Sequence, residues 1–252
     1  MCWSGEASLA VAVIDVAVVG YAVVKKEEMA LWLPLAYFAL MEILQAATYL
    51  VIDDCQNPAN QLATLLGYYH IVFQPFVINM LSLYFIPENI RRRISFAVYT
   101  ACFIATIIML VKIYPFAWAG KCHLDNILCG AELCSVSGNW HIAWHVPLNG
   151  IGNLFTHQFF GLSDTVYVAD ISIYAYDIVS FVLPLIYGSW KLTIYLFMLG
   201  PFLSRLTTDD LNEWPAIWCL FSGAMLLIVA RSSIREKLHV KRWWWSLNKP
   251  SS

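Results

Sequence analysis

Charged side chains are scarce in this sequence: they make up 13% of 252 residues, against 60% hydrophobic. A soluble domain carries roughly 25% charged residues. So little polar surface cannot solvate a globule of this size, which argues against an ordinary soluble protein. With a mean hydropathy of +0.64, the expected solvent for most of the chain is a lipid bilayer. Net charge is only −2, and there is no polybasic tract and no RNA- or DNA-binding motif, so nucleic acid is not an expected partner. Also missing are a phosphate-binding glycine loop, a G-x-S-x-G elbow, an H-E-x-x-H pair and a C-x-x-C-H haem attachment. These absences remove the common nucleotide-hydrolysing, serine-hydrolase, zincin and c-type haem readings. The first apolar run lacks a basic n-region and follows Glu6, so it reads as a retained helix rather than a cleaved signal.

What is present is a series of long apolar runs. A spanning helix needs about 20 mostly apolar residues. The runs are continuous rather than alternating at period two, which predicts helices and not a barrel. The expected fold is an all-α integral membrane bundle of seven transmembrane helices forming a single domain. The spans fall at 8–24, 29–52, 61–86, 94–115, 165–187, 192–206 and 215–230. A polar loop carrying Cys and His covers 116–164, and a basic, Trp-rich tail covers 231–252. Within that loop, 146–162 is apolar but broken by Pro147, Gly150 and Gly152, and reads as interfacial or re-entrant. Seven spans collect Lys25, Lys26, Arg91–Arg93, Lys191 and the tail cations on one side, with Asp53, Asp54, Asp125, Glu132, Asp164, Asp209, Asp210 and Glu213 opposite. By the positive-inside rule the N-terminus is then outside and the C-terminus cytoplasmic. An eighth span would move the basic tail outside.

Of seven cysteines, Cys102 and Cys219 fall inside expected spans, whereas Cys2, Cys55, Cys122, Cys129 and Cys134 fall on the expected outer face. An oxidising exterior permits disulfides, and these are expected among Cys55, Cys122, Cys129 and Cys134, with the pairing open. The alternative for the same loop is a metal site, since His123, His141 and His145 lie near those cysteines. The i,i+4 spacing of His141 and His145 would place both imidazoles on one helix face.

Ionisable groups inside a span raise a functional hypothesis by default. Asp15, Glu42, His70 and Asp177 fall in four different runs, each roughly 12–18 Å below the outer helix end at 1.5 Å per residue. Polar neighbours follow at helical spacing: Gln45 after Glu42, Gln74 after His70, and Asp170 and Tyr174 before Asp177. Each stripe is expected to face the bundle interior. Three carboxyls cannot all be neutralised by one imidazole, so protonation or a bound cation is expected. The competing reading is interhelical glue, with Glu42 paired to His70.

The segments Met1–Ala7 (MCWSGEA), Met41–Gln45, Gly67–Pro75 (GYYHIVFQP), Phe85–Arg93 (FIPENIRRR), Gly138–Pro147 (GNWHIAWHVP) and Asn212–Cys219 (NEWPAIWC) resemble an uncharacterised family of bacterial multi-pass membrane proteins, a domain of unknown function. The resemblance implies a bacterial inner-membrane setting and no activity. Microbial-type rhodopsins need a lysine in the last helix, and ceramidase-type enzymes need an HxxxH there; the last run has neither. Three functions remain. The first is a binding, sensing or transport site for a cation, proton or small ligand at Asp15, Glu42, Gln45, His70, Gln74 and Asp177. The second is an intramembrane hydrolase of a lipid or amide, with zinc or iron on His70, Glu42 and Asp15 or Asp177, joined by His145 or His157 from the outer segment, and a free carboxylate as base. The third is an accessory subunit, as a homo-oligomer or within a membrane complex.

Overall fold

The computed structural model describes residues 3–151, 171–229 and 232–241. Among these, Ser4 caps α1 (Gly5–Val24) by accepting the Ala7 N–H on its Oγ. α2 (Met29–Thr48) follows a tight turn and packs antiparallel along α1. α3 (Pro58–Tyr84) starts with Asn57 as cap and Pro58 in its first turn, where a missing N–H is harmless. α4 (Glu88–Lys112) begins after Pro87 and is tied at its start by the Glu88–Arg92 pair. Pro75 interrupts the α3 ladder. Side chains of neighbouring helices take carbonyls around it: Tyr37 donates to His70 O at 2.5 Å and Thr106 to Val72 O at 3.0 Å.

A loop then leads to an antiparallel hairpin, β1 (Cys134–Ser137) with β2 (Ile142–His145), in the register Cys134 opposite His145 and Ser137 opposite Ile142. Asn60 of α3 holds it in place. Its Nδ2 donates to Ser135 O at 2.9 Å and its Oδ1 accepts the Ser135 N–H at 2.9 Å. Thr64 and Ser135 share a hydroxyl hydrogen bond of 2.7 Å. The disulfide Cys55–Cys134 fixes the same junction, and Cys122–Cys129 closes the preceding loop.

α5 (171–186) and α6 (190–207) each lapse into a π-helical stretch, at Ile178–Val182 and Met198–Phe202. α7 (Trp214–Val229) packs against α2 and α1, and the short α8 (Ser232–Leu238) follows. The two ends of the molecule differ in chemistry. Both disulfides lie at one end. The other gathers Lys25, Lys26, Arg91–Arg93, Lys191 and Arg235, bound by ion pairs such as Arg235–Glu27 at 2.7 Å and Arg91–Glu28 at 3.6 Å.

The expected seven-span, all-α bundle is not what the chain forms. Among the described residues only α1, α2 and α4 are long and apolar enough to cross a membrane. α3 has 27 residues, but Asn60, Gln61, Thr64, His70, Gln74 and Asn79 lower its hydropathy. α6 is divided by its π stretch, and α7 has 16 residues, short of a span. Part of their apolar composition serves packing within the protein, where Leu192, Leu196, Ala216 and Cys219 are core residues, while Ile194, Phe197 and Leu206 of α6 are exposed. The orientation expected from seven spans falls with the count. The hairpin overturns the all-α reading; a four-residue strand is too short to show a period in a cysteine-bearing loop. Most of the 146–162 segment, together with Cys2, Asp170 and most of the Trp-rich tail, lies outside the described residues.

The disulfide expectation holds, with both pairs drawn from the four named cysteines. Cys55–Cys134 joins residues 79 apart and Cys122–Cys129 residues 7 apart. Loop-closure entropy predicts that Cys134→Ser destabilises by about 4–5 kcal/mol and Cys129→Ser by about 2–3 kcal/mol. Denaturant unfolding of the two variants checks the ranking, and equal losses would refute it.

Candidate functional site

The face that α1 turns inward is narrow: Ser8, Ala12, Asp15 and Ala22 are its buried positions, spaced by whole helical turns. Small side chains let α1 approach α2 closely, so Asp15 enters the interior at 1% exposure while Val13, Ile14 and Val16 stay outside. On α2 the i,i+3 pair Glu42 and Gln45 faces the same interior, both fully buried. Asp15 and Glu42 are close enough to repel each other, and Glu42 also feels Tyr49 and the Cys219 thiol of α7. Gln45 Nε2 donates to Ala216 O at 3.2 Å, which brings α7 onto α2.

α3 supplies His70 and Gln74, both buried. The Tyr37 ring stacks on His70 with centroids 3.9 Å apart. Gln74 Oε1 accepts the Tyr176 hydroxyl at 2.7 Å. The arrangement is short of partners. Both Glu42 oxygens, Asp15 Oδ2, Gln45 Oε1, His70 Nε2 and Gln74 Nε2 have no hydrogen-bond partner among the described residues. The expected Glu42–His70 pair does not form.

Asp177 departs from the expectation. α5 turns Tyr176 inward, and Asp177 is exposed beside it. Tyr174, expected on the inner stripe, is exposed as well. The polar core therefore gathers Asp15, Glu42, Gln45, His70 and Gln74, with Tyr176 in the place expected for Asp177. Tyr37, Tyr176 and Cys219 were not legible as members, because a Tyr or Cys inside an apolar run has the periodicity of any core residue.

The metal-ligand reading of the outer loop also changes. His141 and His145 lie on and beside β2, not on a helix. Four residues along a strand span about 13 Å, too far for both imidazoles to hold one ion. Among the described residues no three His, Cys, Asp or Glu side chains converge as a metal site. His141 is instead locked in place. Its Nδ1 accepts the Ile142 N–H at 2.7 Å and the Tyr49 hydroxyl at 3.1 Å, which leaves the ring proton on a buried, unpartnered Nε2. Burial, and then the nearby Glu42 and Glu213 carboxylates, raise the Tyr49 hydroxyl above its ordinary value.

Glu213, expected on an acidic outer face, is fully buried. It collects the backbone N–H groups of Asn139, Trp140 and His141, the last two at 2.9 and 3.0 Å. Gly138 permits this, since a Cβ there would collide with the Glu213 carboxylate. The only sequence signal for this role is a glutamate immediately before a helix start, opposite a glycine in a turn.

Residues 6–239 match a family described as "Family of unknown function (DUF5765)", and the chain belongs to that family. No curated protein and no solved structure matches the chain.

Two outcomes follow for the loop. Glu213→Ala strips three amides of a charged acceptor and is expected to lower stability by about 3 kcal/mol or more, while Glu213→Gln retains part of it; thermal unfolding of both measures the difference. Burial holds the His141 imidazole down at about 3, against about 6.5 unfolded. The unfolded chain therefore takes the proton first. The His141 contribution is complete above about pH 6.5 and is lost as pH falls towards 3. A His141→Phe variant should show a shallower loss of stability across that window than the wild type.

Proposed function

We propose that this member of the DUF5765 family is a bacterial inner-membrane protein, held in the bilayer by α1, α2 and α4, whose interior binds a proton or small cation for sensing or transport. The site is Asp15, Glu42 and Gln45, with His70 and Gln74 lining it from α3. One observation carries the reading. Glu42 is fully buried, next to a second buried carboxyl, and neither of its oxygens has a hydrogen bond or ion pair among the described residues. A bare carboxylate in such a place is too costly to persist, so Glu42 holds a proton or a cation. A residue that must carry one or the other can exchange them, and exchange is the elementary step of proton- or cation-linked binding.

The side chains around Glu42 suit that step. Gln45 Oε1 is a neutral acceptor within the same helical turn, and Asp15 supplies a second carboxyl from the facing helix. The three helices that are long and apolar enough to cross a membrane support the setting, and two of them, α1 and α2, carry these acids. The hydrolase reading lacks comparable support, because among the described residues no three His, Cys, Asp or Glu side chains converge on one point.

Infrared titration of the purified protein in lipid vesicles tests the proposal. The wild type should show a protonated-carboxyl band at neutral pH that Glu42→Gln removes, with helical content unchanged. Where a cation replaces the proton, adding sodium or potassium should diminish the band. If the band is absent, no cation is bound and Glu42→Gln changes nothing but stability, the acids are structural and the proposal fails.

A further inference from the structure

A cavity of about 130 Å³ borders the polar core at Gln74 and lies among α3, α4, α5, α6, α7 and the loop residues Ile127, Leu128 and Leu148. It approaches the roughly 150 Å³ of a cavity that accepts one benzene ring. Four aromatic side chains wall it: Tyr68, Tyr176, Trp214 and Trp218. Asp177 is the only charged side chain in its described lining, and no hydrogen bond or ion pair ties that carboxylate to another described residue.

Three of the four wall aromatics have committed donors, and the Trp218 indole N–H is the exception. Tyr68 donates to Met109 O at 2.7 Å, Tyr176 to Gln74 Oε1 at 2.7 Å and Trp214 Nε1 to Thr208 O at 3.1 Å. Tyr68, Tyr176 and Trp214 therefore have no free N–H or O–H group and offer a ligand their ring carbons. Tyr176 and Trp218 meet at 83° with centroids 5.5 Å apart, which makes a corner of two aromatic walls. Gly200 keeps that corner open, since a Cβ there would collide with the Trp218 indole. Gln74 Nε2, on a side chain 1% exposed, has no oxygen or nitrogen partner among the described residues and lies beside the Cys219 thiol. Both π-helical stretches adjoin the cavity. Ile178–Val182 follows Asp177 directly, and Met198–Phe202 contains Gly200 and Pro201. Such stretches are frequent at functional sites.

We propose that this cavity binds a small organic cation of the quaternary-ammonium class, with the aromatic walls facing the alkylated nitrogen, Asp177 as counter-ion and Gln74 Nε2 donating to an oxygen on the ligand. Aromatic walls around one carboxylate favour a positive charge that needs no hydrogen bonds. The inference goes beyond the proton or cation site at Glu42 and does not depend on it.

Calorimetric titration of the full chain in detergent tests it with three probes: choline, tetramethylammonium, and 3,3-dimethylbutan-1-ol, the uncharged isostere of choline. Choline is expected to bind saturably at one site per chain, tetramethylammonium more weakly, and the neutral alcohol at least about tenfold more weakly than choline. Asp177→Asn, at an exposed position that leaves the fold intact, should weaken choline by about tenfold or more. Glu42→Gln should leave choline binding unchanged, which keeps failure here distinct from failure at the buried acids. Choline that does not bind, a neutral alcohol that binds as well as choline, or an Asp177→Asn variant with unaltered choline affinity would each overturn the proposal.

Discussion

The carboxylate of Glu213 connects parts of the chain that are far apart in sequence. It stands at the start of α7 and accepts three consecutive amides from the loop that joins β1 to β2. The same loop receives the N-terminus: Trp3 N–H donates to Trp140 O at 3.0 Å, and the Trp3 and Trp140 rings stack with centroids 5.7 Å apart. α1 and α7 are thus set in register before any helix-to-helix contact is considered. Charged acceptors make the strongest ordinary hydrogen bonds, and a glutamate without a cation needs several donors to tolerate burial. Its position is therefore defined by the loop as much as the loop is defined by it.

The acids deeper inside present the opposite case. Glu42 and Asp15 are as buried as Glu213 but receive no comparable set of donors. Two carboxyls in one protein, equally withdrawn from solvent, differ in whether the fold satisfies them. A fully satisfied group is structural. An unsatisfied one must be completed by something outside the chain, and a proton or cation is the smallest such completion. This contrast separates the site from the scaffold more sharply than burial does.

The later helices show how the scaffold leaves room for ligands. α5 and α6 each lose the regular α ladder beside the aromatic cavity, and Gly200 and Pro201 explain part of this on α6. A π stretch inserts an extra residue in the turn and swings the following side chains around the axis.

Much of this was legible in the sequence. Composition pointed to a helical, lipid-compatible chain. The first four apolar runs correspond to α1–α4, and the cysteines that bond are four of the five expected on the outer face. Asp15, Glu42, Gln45, His70 and Gln74 were identifiable as interior because a polar group within an apolar run at helical spacing has few other places to go. The number of spans was not legible, since hydropathy does not show where a helix breaks or how long it runs: α6 is divided by a π stretch and α7 has 16 residues. Nor was the hairpin, whose strands are held by Asn60 and a disulfide from distant sequence rather than by their own pattern. The pairing of Cys55 with Cys134, the burial of Glu213 and the exchange of Asp177 for Tyr176 all depend on which segments meet. Local sequence sets the propensity and polarity of each element, but only the tertiary structure decides which donors, rings and charges reach one another.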